Sequence, residues 1–335
     1  MITPKENYAL AMSHQPAEWV PIRSVDCKNA GHEIWLEKGD PRREYDVFGV
    51  RWLRPEAGSG EPVTDPNQHL LTADTICDWE DILTEPNIDD CDFQAYADAM
   101  NARVDRDRIA IDFCSVSGPY ERLAAFMGFE EALIAMVEEP EACRALCEWI
   151  VDYKIKVIER VAETYKPDYW TNFDDTATQL NLFMSAETYR EVIKEPTRRY
   201  YQAVRDAGIV PITHCCGHAE AIIEDMIDEG AEAWSSVQPC NDIETLLQKY
   251  GDKFTIIGGF DSTGLPGSTD ATDEDIERDV RRCIDVYGKY KSYIFQGFRM
   301  ANSSDPEDVM REMRRIREPA SRYAHEVAER LAEAV

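Results

Sequence analysis

The chain has 335 residues, 44% hydrophobic and 10% aromatic, enough for a large core and incompatible with bulk disorder. Its 36 Lys and Arg stand against 65 Asp and Glu, a net charge of −29 that repels phosphate backbones and anionic lipid, so no nucleic-acid and no membrane partner is expected. No apolar stretch approaches the ~20 residues that span a bilayer, and the start, Met1-Ile-Thr-Pro-Lys-Glu-Asn, has no secretory apolar core, so the expected location is cytoplasmic.

Short β-branched runs alternate with helical patterns. The predicted strands are Val20–Val25, Ile109–Cys114, Tyr169–Phe173, Val210–His214, Ala233–Val237, Phe254–Gly258 and Ser292–Gln296. Between them, apolar residues recur at three and four, predicting helices over Glu130–Tyr165 (interrupted near Pro140), Ala186–Ala207, Ala219–Glu229 and Asp305–Ala334. Ser185 stands where the second of these needs an N-cap. Repeated βα units with no Gly-x-Gly-x-x-Gly after the first strand favour a distorted (β/α)8 TIM barrel over a doubly wound sheet. One barrel domain over residues 1–335 is the simplest division. Residues 31–105 break the alternation; Arg42–Trp52 and the Gly-rich run from Ala57 suggest a hairpin-bearing insertion covering the barrel mouth.

Ten cysteines without dense regular spacing do not make a disulfide framework, and most read as buried small hydrophobes, Cys143 and Cys147 among them. The exception is Thr213-His-Cys-Cys-Gly217, at the end of a predicted strand, where barrel enzymes place functional groups. Positions i and i+2 of a strand face one way, so His214 and Cys216 can converge on one ion while Cys215 points to the other layer. Imidazole plus thiolate suits zinc, but two ligands fall short of the three a catalytic zinc needs. Metal-free packing at the barrel top stays open. Asp174 and Asp175 end another strand. They read as catalytic groups, as part of a metal shell, or as a helix cap.

That motif, together with Ala231-Glu-Ala-Trp-Ser-Ser236 and Lys249–Asp261, resembles the uroporphyrinogen decarboxylase superfamily. So do Thr3-Pro-Lys-Glu6, the run from His14 to Pro21, Asp46–Trp52, Asp174–Gln179 and Met184–Arg190, in the family's order over nearly the whole chain. The resemblance implies a distorted barrel with its site at the mouth. True decarboxylases carry an Arg-Gln-Ala-Gly-Arg motif that grips a many-carboxylate substrate. Here the first strand reads Ile22-Arg-Ser-Val-Asp-Cys-Lys-Asn-Ala30.

The other branch, the corrinoid-dependent methyltransferases, fits better. Its zinc-containing members have a His-x-Cys-Gly motif similar to His214–Gly217, plus a Cys from the last strand. Phe298 stands there in this chain. Cys240 could replace that third ligand, or an Asp of Asp174-Asp175 could supply an oxygen. The resemblance implies methyl transfer from a small methylated donor to the Co(I) corrinoid of a separate cobalamin-binding protein. A methoxylated aromatic (O-demethylation) is favoured, and a quaternary amine competes. Decarboxylation and a non-catalytic corrinoid-protein- or ligand-binding barrel are the alternatives. Asp26, Gln179, Gln238 and Arg299 are the expected substrate-binding residues, although Asp26 could be a turn residue and Arg299 half of a structural ion pair. Sequence leaves a homo-oligomer open.

Overall fold

The computed structural model describes residues 2–31, 34, 36–38, 43–54, 62–299, 303 and 305–332. Arg42, residues 55–61 and the last three residues of the predicted carboxy-terminal helix and chain end lie outside them.

Seven parallel strands form one sheet, in the order β1 (Cys27–Ala30), β4 (Ala110–Ser115), β5 (Tyr169–Phe173), β6 (Val210–His214), β7 (Ala233–Val237), β8 (Thr255–Gly259), β9 (Tyr293–Gln296). Each neighbour is the next of these strands in sequence, with helices in the connections. The sheet curls until β9 returns to the start. Ile22 bridges Phe295 in parallel, and the Phe295 N–H donates to Pro21 O at 2.9 Å. The fold is therefore α/β and TIM-barrel-like, with seven strands among the described residues. Two further strands, β2 (Trp52–Leu53) and β3 (Val63–Thr64), pair antiparallel as a separate ribbon.

The predicted first strand is corrected. Val20–Val25 is not continuous: after the bridge at Ile22 the chain makes a helical turn, Arg23–Asp26, before β1 begins at Cys27. The Asp26 carboxylate accepts from the Ile22 N–H at 2.8 Å, locking that turn. Hydrophobic alternation cannot reveal a side chain that captures its own backbone.

The long helical pattern also divides. Pro140 opens a new helix, Pro140–Thr164, after Phe129–Glu138, as a first-turn proline does. Ser185 caps Ala186–Val192, accepting from the Thr188 N–H at 3.0 Å. The carboxy-terminal pattern is two helices, Pro306–Glu326 and Ala328–Ala332.

The barrel interior is layered, as packed barrels are. At the bottom, Cys27, Ala110, Tyr169, Ile212, Ala233, Ile257 and Ile294 meet Tyr8, Ala11 and Met12 of the amino-terminal helix. Above this apolar plug lies a polar layer: Arg23 donates to Asp112 at 2.5 Å, to Thr171 at 2.8 Å and to Gln296 at 3.2 Å. The outer layer packs Trp170, Trp234, Tyr200 and the buried cysteines Cys143, Cys147, Cys215 and Cys283. Met127 and Met136 are buried there too.

Candidate metal centre and active-site cavity

A cavity of about 650 Å³ opens above the polar layer at the carboxy-terminal ends of the strands. Asn29, Cys114, Phe173, His214, Ser236 and Gln296 line it from six strands. Ile34, Leu36, Glu37 and Lys38, from the segment between β1 and β2, form its outer wall. Two buried ion pairs pin that segment down: Lys154 with Glu37, and Arg122 with Asp46 at 2.7 Å.

Strand register sets the chemistry. His214 on β6 stands beside Phe173 on β5 and Ser235 on β7. Its ring stacks on Phe173 with centroids 3.9 Å apart and planes 26° apart, and its Nδ1 lies 3.0 Å from Ser235 Oγ. Two residues on, the chain turns in and Cys216 Sγ comes 3.6 Å from His214 Nε2. Asp175, just past β5, contributes the third group: its Oδ1 is 3.9 Å from His214 Nε2 and accepts from the Cys216 N–H at 2.7 Å. The donor atoms of Asp175, His214 and Cys216 all lie within 4.8 Å of one another.

Burial dominates the electrostatics of the cluster. It pushes the Cys216 thiol up to about 12, with the Asp175 charge adding to the effect. Burial also raises Asp175, against the Cys216 N–H and the Lys38 charge that both pull it down. Glu121, whose carboxylate accepts from the Asp175 N–H at 3.3 Å, is pushed up to about 8 by burial and then by Asp175 and Asp174.

The expected site residues separate into two groups. Asp175, His214, Cys216 and Gln238 line the cavity; Gln238 accepts from the Gly217 N–H at 2.7 Å and donates to Ser262 at 3.0 Å. Asp174 points the other way, out of the barrel. It accepts from the backbone N–H groups of Glu121 and Tyr120 at 2.8 and 3.2 Å, at the start of helix Pro119–Met127, and burial lifts it to about 7. Cys240 is not in the three-donor group; its sulfur accepts from the Asn241 side chain at 3.5 Å. Asp26 is turned into its own helical turn. Arg299 is buried against Glu312 at 3.1 Å and the Pro266 carbonyl. Gln179 reaches the β8 loop, donating to Thr263 at 2.7 Å. Cys215 faces the outer layer, with Thr176 at 3.4 Å, and His218 sits on the surface against Leu180 O at 3.1 Å.

Sequence reasoning overlooked Ser235, Ser236, Lys38 and Glu121. Ser235 follows directly from the β6–β7 register, opposite His214, whereas Ser236 reaches the cluster only through the irregularity between Ser235 and Val237, which the sequence does not flag. Lys38 sits in the non-alternating segment and Glu121 on a helix with no flag, so neither carried a signal.

The uroporphyrinogen decarboxylase (URO-D) family profile matches residues 73–319, well over half of the chain. The protein belongs to that family. Over 105 residues it is 29% identical to methylcobamide:CoM methyltransferase MtaA of Methanosarcina barkeri, a match spanning 31% of this chain and 30% of that protein. Its fold is similar to that of a solved methyltransferase from Methanosarcina mazei, with a TM-score of 0.69 over 96% of this chain and 99% of the other at 14% identity. The sequence likeness thus runs to the methyltransferase branch of the family. Among the described residues no helix is long and apolar enough to cross a membrane.

Proposed function

We propose that this protein is a corrinoid-dependent methyltransferase that takes the methyl group of a small methoxylated aromatic and passes it to the Co(I) corrinoid of a separate protein, with zinc held by Asp175, His214 and Cys216. The observation that carries this reading is the convergence of those three donors at the mouth of an apolar cavity. Ligands of a tetrahedral zinc lie about 3.4–3.6 Å from one another. The Nε2–Sγ separation of 3.6 Å and the Nε2–Oδ1 separation of 3.9 Å are close to that spacing, so the residues fit the ion. Three protein ligands also leave the open position a catalytic zinc keeps.

In the reaction the methyl carbon leaves an ether oxygen and a phenolate remains. Zinc, when bound, supplies Lewis acidity toward that oxygen. Asp175 in place of a second thiolate makes the donor set harder, which favours an oxygen substrate over a thiol. Phe173, Phe113, Phe298, Ile34 and Leu36 give the cavity flat and aliphatic walls that suit an aromatic ring. Lys38 is the one Lys or Arg among the described lining residues, and its charge acts on Asp175 beside the donor cluster, where a departing phenolate would form. A single cation is also a poor match for a many-carboxylate decarboxylase substrate.

The test is anaerobic turnover of 2-methoxyphenol with zinc-loaded protein and chemically reduced cobalamin, followed by the absorbance change from Co(I) to methyl-Co(III). Catechol release in step with methylcobalamin is expected. No transfer from any aryl methyl ether by protein shown to hold zinc would sink the aromatic donor.

A further inference from the structure

Strand β7 is irregular where it meets the metal-donor cluster. Its pairing with β8 slips between Ser235 and Val237, and Ser236 in the slip has φ +64°, a conformation non-glycine residues rarely take. The partner strand is shaped to receive the slip: a Cβ at Gly258 would meet Val237 O at 2.3 Å. A regular strand would send Ser235 and Ser236 to opposite faces. Here both hydroxyls reach the cluster, Ser235 Oγ at 3.0 Å from His214 Nδ1 and Ser236 Oγ at 3.4 Å from Cys216 Sγ.

The slip is held from below. The Ser236 N–H lies 3.4 Å from Gln296 Oε1, which also accepts from Arg23 at 3.2 Å, and Arg23 is fixed by Asp112 at 2.5 Å. A buried ion pair is thus tied through Gln296 to the strained residue. Backbone strain enforced by surrounding structure clusters at functional sites, and Ser236 is the one positive-φ non-glycine residue among the described residues lining the cavity.

We infer that Ser235 and Ser236 are positioning residues for the metal centre: Ser235 Oγ accepts a hydrogen bond from His214 Nδ1–H so that Nε2 faces the ion, and the Ser236 hydroxyl, which accepts from the Cys216 S–H in the metal-free protein, turns to donate to the sulfur once it is a metal-bound thiolate. The inference rests on the reading of Asp175, His214 and Cys216 as a zinc site. Partners of this kind fix the tautomer and orientation of a ligating histidine, and losing one costs roughly 10- to 100-fold in metal affinity.

The experiment titrates zinc and Co(II) into the full-length wild type, Ser235→Ala, Ser235→Thr, Ser236→Ala and Ser236→Gly, against a competing chelator. Unfolding of the metal-free forms is measured alongside. Ser236→Gly keeps the positive φ without strain and removes the CH2OH side chain, while Ser236→Ala removes the hydroxyl alone. Zinc affinity is expected to fall roughly 10- to 100-fold in Ser235→Ala and in Ser236→Gly, and to return in Ser235→Thr, with metal-free stability little changed. The thiolate-to-cobalt absorption should move to longer wavelength in Ser236→Gly and stay in place in Ser235→Ala, because only Ser236 donates to sulfur. Wild-type affinity and an unmoved band in both variants would overturn the positioning role while leaving the zinc site intact. A wild type that binds neither metal would overturn the zinc reading, and this inference with it.

Discussion

His214 Nε2 and Cys216 Sγ face each other at 3.6 Å because the chain leaves β6 at His214 and turns inward over Gly217. Asp175 closes the third side, its carboxylate fixed by the Cys216 N–H. Protein purified without added zinc is therefore expected to carry about one zinc per chain, and a His214→Ala, Cys216→Ala double variant none. Asp175→Asn keeps an oxygen donor but loses its charge, so it should bind more weakly and still bind. Elemental analysis and chelator competition measure all three. Metal-free wild type, or equal zinc in the double variant, would remove this cluster as the metal centre.

Most of the barrel was readable from sequence because short runs carrying β-branched and aromatic residues, largely buried in a parallel sheet, alternate with helical patterns. Tyr169–Phe173, Val210–His214 and Ala233–Val237 coincide with their predicted bounds. The strand-period argument also pairs His214 with Cys216. What sequence could not show were choices made by polar side chains in three dimensions. Asp174 and Asp175 are adjacent and identical in type, yet one ties down a helix start and the other enters the cavity. Nothing local separates them; the alternation of the strand does, once its end is known. Arg299 and Cys240 sit at strand ends as an active-site reading asks, but each meets a partner from a distant or neighbouring segment. The turn at Arg23–Asp26 was hidden for a similar reason, since it depends on one carboxylate finding one N–H.

Arg23 and Asp112 make a buried pair in the barrel, with side chains 2% and 0% exposed. Removing one partner strands the other charge. Asp112→Ala is expected to lower unfolding free energy by about 3–5 kcal/mol, read from denaturant midpoints. An Arg23→Met, Asp112→Leu double variant should recover most of that loss, because apolar side chains of similar size replace the whole pair. A double variant as unstable as the single would mean that the layer is held by the Thr171 and Gln296 hydrogen bonds and not by charge.

Gly217 has φ +86°, and a Cβ there would meet Thr178 O at 2.4 Å. Backbone, not a flexible side chain, blocks the space. Gly217→Ala must move the turn that carries Cys216, at a conformational cost of about 1–2 kcal/mol before the clash is counted. Zinc affinity should fall further than thermal stability does, since the displaced segment is short and the ligand is adjacent. Unchanged affinity in a folded variant would show that the turn can shift without carrying the sulfur with it.

Asp26 is 3% exposed, and burial pushes its carboxyl up to about 6, although the Ile22 N–H pulls it down. In the unfolded chain an Asp titrates near 3.9, so between about pH 4 and 6 the native state binds more protons than the unfolded state. For this group stability is greatest when both states are protonated, below about pH 4. It declines as pH rises through the native value, by about 3 kcal/mol at most. Asp26→Asn keeps an oxygen for the Ile22 N–H and removes the titration. The stability of the variant relative to wild type should therefore climb from pH 4 to pH 7 and level off above it. Comparing the two at each pH cancels the acid denaturation contributed by the many paired surface carboxylates. A difference that stays flat across that range would mean the carboxyl ionises with ordinary ease, and that water reaches it in the turn.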